Sequence, residues 1–165
     1  MALEDNELYI EFITPAANIV GFEHQPKTEK QKVAINKAIN TLKTGDELFI
    51  ISQGAGTKLI TSEVESGLEA EHAHAHENMH KDEHDAHYSE EKKHHGEHHD
   101  EHDHQVHSDF MAVYRFDCKN PDKLTHMDVM LFRHFKGIET IHVQVLTRTK
   151  VSAFELTAKK NRITF

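Results

Sequence analysis

The chain has one cysteine, Cys118. One thiol excludes an intramolecular disulfide framework, and it cannot build a zinc site of the CxxC kind. Redox compartment is left open by it. Long apolar runs are also missing, so no segment is suited to direct membrane insertion. The opening residues, MALEDNELY, have neither the basic n-region nor the apolar h-region of a signal peptide. They read as a soluble chain trimmed at its natural start, with the turn-like Asp5-Asn6 running into a strand-like segment. Clustered lysine and arginine are lacking too. The formal charge is −9, the wrong sign for a nucleic-acid partner, and a cationic ligand fits better. No Ser-His-Asp arrangement, glycine-rich phosphate loop or paired carboxylates are evident, so no enzyme activity is expected.

What is abundant is histidine, in one place. Thirteen of the seventeen histidines fall between Glu71 and His107: His72, His74, His76, His80, His84, His87, His94, His95, His98, His99, His102, His104 and His107. The same stretch holds eleven acids against three lysines, which puts almost all of the net charge there. It is low in complexity, has few apolar residues and offers no stripe that could bury, so without metal it is expected to be disordered or loosely helical. Removing it leaves 128 residues, enough for a core of their own. The reading is one metal-binding domain, 1–165, with a His-rich insertion at about 69–107.

Outside the insertion, Leu8, Ile10 and Phe12 share one face of a strand that Pro15 closes. A loop or helical turn through GFEHQP follows. Thr28 and Gln31 form a capping-box pattern, and Ile35, Ala38, Ile39 and Leu42 give the apolar stripe of a helix over about 28–43, ended by Gly45. Glu47–Ile51 and Lys58–Val64, separated by QGAG, read as a strand pair. Phe110, Ala112, Tyr114, Phe116 and Cys118 mark a core strand. Asn120-Pro121-Asp122 reads as a turn, Met127–Phe132 as another strand, and His134–Gly137 as a helical or turn connection. Ile141, Val143 and Val145 mark a central strand, with Val151–Leu156 and Arg162–Phe165 as antiparallel neighbours. The fold class is α+β: a mostly antiparallel sheet, one main helix and short helical turns.

Imidazole is a borderline donor with an unperturbed pKa of about 6.5, so at neutral pH its lone pair is free for Zn²⁺, Ni²⁺, Cu²⁺ or Co²⁺. The interspersed carboxylates add oxygen ligands and offset the ion's charge. His72, His76, His80 and His84 recur every four residues, as do His94, His98 and His102, and His95 with His99, which aligns them on one helical face. His72, His74 and His76, and His102 with His104, would align equally in an extended chain. The tract therefore predicts several adaptable sites and no single rigid cage. A solvated linker is the bland alternative for such a run, but thirteen histidines weigh against it. The segment His76-Glu77-Asn78-Met79-His80 formally matches the HExxH motif of metalloproteases, but its polar, charged flanks do not suit a buried catalytic helix. Beyond the tract, His24 is either a scaffold ligand or a loop histidine bonded to backbone. His126, His134 and His142 read as ordinary surface or packing residues. His107, by alternation, points away from the Phe110 and Tyr114 face.

In combination, TPAANIVGFEH (Thr14 to His24), SEVES (Ser62 to Ser66), the His-rich loop, FMAVYRFDCKNPDKL (Phe110 to Leu124), LFRHFKGIETIHVQVLT (Leu131 to Thr147) and the closing FELT (Phe154 to Thr157) resemble ZrgA-type zinc-binding proteins of the Gram-negative periplasm, otherwise known as a domain of unknown function. The likeness spans essentially the whole chain. It implies a periplasmic protein of zinc homeostasis that contributes to zinc uptake, with an inner-membrane zinc transport system as partner. Precursors of that family usually carry a signal peptide and a further His-rich stretch before the first strand, and neither is present here. Many relatives also have a second cysteine near the position of Thr57 or Lys58 that could pair with Cys118. By position, His24 is the scaffold histidine the resemblance carries over first. The competing expectation is a metal buffer or store for Zn, Ni or Cu without a delivery partner.

Overall fold

The computed structural model describes residues 1–68 and 108–165. Two short-range signals shape its first strands. Strand β1 (Ala2–Glu4) turns back through Asp5-Asn6 into β2 (Glu7–Pro15), and Asp5 takes the left-handed conformation that this tight turn requires, φ 48°. Along β2 exposed and buried residues alternate as expected, with Leu8, Ile10, Phe12 and Thr14 inward. The next helix, α1 (Ala16–Val20), stops at Gly21, whose φ of 85° supplies the left-handed cap.

The main helix α2 (Glu29–Leu42) begins as the sequence predicts. Thr28 accepts from the Gln31 amide, while the Gln31 side chain accepts from the Thr28 amide, closing a capping box. Ile35, Ala38, Ile39 and Leu42 are buried. Its end differs from expectation: Lys43 is the C-cap, and Gly45 instead opens a further turn, α3 (Gly45–Leu48). Glycine is needed there for room. A Cβ on Gly45 would lie 2.5 Å from the Tyr114 ring.

The single expected sheet is two sheets. The first has six strands in the order β4-β5-β2-β1-β7-β8, using β4 (Thr57–Ser66), β5 (Asp109–Cys118), β7 (Thr140–Leu146) and β8 (Val151–Thr157). All its pairings are antiparallel except β1 with β7. The second, antiparallel throughout, is β3-β6-β9, from β3 (Phe49–Ile51), β6 (His126–Val129) and β9 (Arg162–Thr164). The class is thus mixed α and β with few helices.

Several sequence expectations change accordingly. The run 47–51 starts helical and reaches strand only at Phe49. Strands β3 and β4 do not pair as a hairpin: a 3₁₀ turn at Gln53–Ala55 carries the chain from one sheet to the other. The alternation from Met127 to Phe132 ends at Val129, where α4 (Leu131–His134) takes over. Strand β9 leaves β8 for the second sheet. Strand β7 is less central than expected, because it meets β1 only at Leu146.

The two sheets and α2 enclose one core. Strand β5 contributes Phe110, Ala112, Tyr114, Phe116 and Cys118, all at most 2% exposed. Tyr114 packs edge-on to Phe49, with ring centroids 5.0 Å apart, and its hydroxyl donates to the Leu42 carbonyl at 2.8 Å. That bond satisfies an orphan carbonyl at the end of α2 and ties helix to sheet. Burial pushes the Tyr114 phenol well above its ordinary range. Cys118 is a packed strand residue whose thiol pKa is raised chiefly by burial. Thr57 is its register partner on β4, one of the two positions, Thr57 or Lys58, near which the resemblance puts a second cysteine.

Candidate metal centre at the base of the histidine tract

The thirteen tract histidines, from His72 to His107, and the HENMH segment lie outside the described residues, as does the proposed orientation of His107. The structure does describe the frame that carries them. The tract leaves after β4 and returns into β5, and these strands pair to their ends, Ser66 opposite Phe110. Beyond that pair the Gly67 amide donates to the Asp109 carbonyl at 2.9 Å. Leu68 and Ser108 are both buried, at 0% and 4% exposed. The Ser108 carbonyl accepts from the Ala16 amide at 2.8 Å, and the Ser108 hydroxyl lies 3.4 Å from the Gly67 carbonyl. Gly67 and Ser108, at the two edges of the described frame, are therefore bonded to each other's strand, and Ser108 also to the start of α1.

His24 comes to the same place. Its loop follows α1, and the Gln25 amide nitrogen Nε2 donates to the Gly67 carbonyl at 3.2 Å. The imidazole is exposed and stacks on Phe22, with ring centroids 5.2 Å apart and planes at 28°. Its Nδ1 is 2.9 Å from the Gln25 carbonyl oxygen. A carbonyl can only accept, so Nδ1 carries the proton and Nε2 of the neutral ring keeps its lone pair. The backbone-bonded reading of His24 and the ligand reading are thus compatible. A metal-binding histidine is commonly oriented by just such a bond from its other nitrogen.

The remaining histidines are scattered. His126 bonds Thr125 Oγ1 through Nδ1 at 3.0 Å. His134 sits against Phe135. His142 stands across from Glu155 on β8, 3.9 Å from its carboxylate and open to solvent. Among the described residues no three His, Cys, Asp or Glu side chains come together as a metal site. The anchoring roles of Leu68, Ser108 and Gln25 are not visible in the sequence. Leu68, a lone apolar residue after Ser66-Gly67, is the one hint that the frame continues past the strand.

By comparison with known families, the chain is of the zinc uptake class. More particularly, it belongs to the ZrgA family of zinc uptake proteins, whose model matches residues 1–165, the whole chain. No curated protein matches it. The family name is consistent with the handling of Zn²⁺. Among the described residues no helix is long and apolar enough to cross a membrane.

Proposed function

We propose that this chain captures Zn²⁺ in the periplasm through the tract from His72 to His107 and passes it to an inner-membrane transport system. The observation that carries the reading is thirteen histidines within one acidic segment of a zinc uptake family member. Acidic residues raise the local concentration of cations, imidazoles coordinate, and many modest sites permit exchange and release. His24, whose Nδ1 lies against the Gln25 carbonyl and whose Nε2 keeps its lone pair, is the scaffold histidine we include among the candidate ligands. The protein acts as a carrier and not as a catalyst.

Calorimetric titration of Zn²⁺ tests the ligand chemistry. Protonated imidazole cannot bind metal, so affinity should fall steeply as pH drops through about 6.5. Equal affinity at about pH 5.5 and 7.5, on either side of that value, would rule out imidazole as the ligand. Delivery and storage differ in partner binding. A zinc-dependent complex with transport components is expected for delivery, whereas many weakly held ions and no complex would mark a store.

A further inference from the structure

The second sheet buries Phe49, Met127, Val129 and Ile163 on one face and turns the other outward. On the outward face Ile50, Asp128 and Arg162 stand in one cross-strand row, as register partners on β3, β6 and β9. Ile50 is 46% exposed. Beside this row α4 brings up Arg133, and the turn between β8 and β9 brings up Lys159 and Lys160. With Met130 and Asn161 these side chains line an open groove of about 480 Å³.

Backbone bonds fix where the cations stand. Thr157 and Lys160 exchange two main-chain bonds, at 3.0 and 3.1 Å, and Asn161 Nδ2 donates to the Val129 carbonyl at 3.0 Å, which pins the turn to β6. The Arg133 amide donates to the Met130 carbonyl at 2.9 Å as α4 begins.

Charge in the groove is one-sided. Four cations line it against one acid, Asp128, and Arg162 already holds both oxygens of that acid. Arg133, Lys159 and Lys160 are exposed, and among the described residues no carboxylate pairs with them. Acids and basic residues are equal in number over residues 1–68 and 108–165, so the excess arises from placement and not from composition. A second groove shows the opposite segregation, with Glu4, Asp5, Glu7 and Asp117 and no basic residue in its lining. A single surface lysine is ordinarily just solvated. Three unpaired cations from two elements, converging on a groove that also exposes an isoleucine, form a surface suited to an anionic ligand.

Two features narrow the ligand. Ile50 and Met130 offer apolar contact among the cations, which a hydrated inorganic anion does not use. A flat anionic surface such as a membrane would meet the charge of the whole chain, −9. A segment lying in the groove is exposed only to charges within about a Debye length, about 8 Å at physiological ionic strength.

We infer that this groove binds a short acidic segment of a partner protein, with carboxylates against Arg133, Lys159 and Lys160 and one apolar side chain on Ile50 and Met130. Arg162, held by Asp128, forms the fixed wall between them. Such contacts are exposed and charge-assisted, so the complex is salt-sensitive and quick to form. This inference does not rest on the zinc reading.

The test is an NMR titration of the isotope-labelled full chain at neutral pH, in about 0.1 M salt, with the blocked peptide Glu-Asp-Leu-Glu-Asp. Saturable shifts are expected at the amides of Ile50, Met130, Arg133, Lys159, Lys160 and Arg162. Affinity should fall about tenfold or more when Lys159→Glu and Lys160→Glu are combined. Arg133→Glu should act likewise, and it serves as the second variant should the first not fold. In about 1 M salt, where the Debye length is about 3 Å, the shifts should vanish. The same peptide with serine in place of leucine should bind several-fold more weakly. No shifts at these amides, unchanged affinity in a folded variant, or equal binding of the two peptides overturns the proposal. So does lysine-dependent sedimentation with phosphatidylglycerol vesicles in the absence of peptide binding, because the groove would then contact a membrane and not a protein.

Discussion

At the scale of single residues, the structure turns on a few close contacts. Gly45 lies against the Tyr114 ring with no space for a methyl group, and Tyr114 is both fully buried and bonded to the Leu42 carbonyl. Gly45→Ala forces that ring to move and should lower stability by about 1–3 kcal/mol, read as a shift of the urea midpoint at unchanged slope. An unshifted midpoint would mean that the ring yields freely. A second contact sets a pH response. Arg162 Nε and Nη2 reach both oxygens of Asp128 at 2.6 and 2.7 Å, and this pairing holds the carboxyl below its ordinary range. A carboxyl depressed in the folded state stabilises above its unfolded pKa of about 4, and that contribution is lost as pH falls through the lower folded value. Asp128→Asn should therefore be less stable than the parent at neutral pH, with the gap closing as pH falls below the ordinary carboxylate range. A gap that persists in strong acid would assign the loss to packing. His24 belongs at this scale too. If His24 is a ligand, His24→Ala should weaken zinc binding about tenfold, or about 1.4 kcal/mol, in a calorimetric titration. Unchanged affinity would remove His24 from the ligand set.

At the scale of elements, the readability of the sequence follows the range of the interactions involved. The capping box of Thr28 and Gln31, the stripe of α2 and the inward face of β5 are set by neighbours three, four or two residues apart, and each forms as its pattern indicates. The errors arise where a distant contact decides. Gly45 resembles a helix stop, yet its small size serves Tyr114, far away in sequence. The segment from Phe49 to Ile51 resembles half of a hairpin, yet it pairs with Met127 to Val129 in the second sheet. Strand β9 follows β8 in the chain but joins β6. Hydrophobic alternation says which face of a strand is buried and nothing about which strand lies beside it. The candidate site divides in the same way. Its histidines stand plainly in the sequence, whereas the bonds of Gln25, Ser108 and Gly67 that bring the His24 loop to the base of the tract link residues 41 or 42 positions apart.

At the scale of the whole molecule, the described frame is complete without the tract. Its core draws on both sheets and on α2, and the closed pairing of β4 with β5 leaves Leu68 and Ser108 as near neighbours that a short turn could join. The frame supplies the fold, the tract supplies the histidines, and the family places the pair in zinc uptake. Replacing Glu71 to His107 with a short Gly-Ser linker separates these contributions in a single protein. Calorimetric titration of that protein with Zn²⁺ near neutral pH, beside the parent chain, is the most direct measurement. The account predicts a thermal transition within a few degrees of the parent's and the loss of nearly all bound zinc, with at most a weak residue attributable to His24. A folded protein that still binds zinc with the parent's affinity and stoichiometry would contradict it.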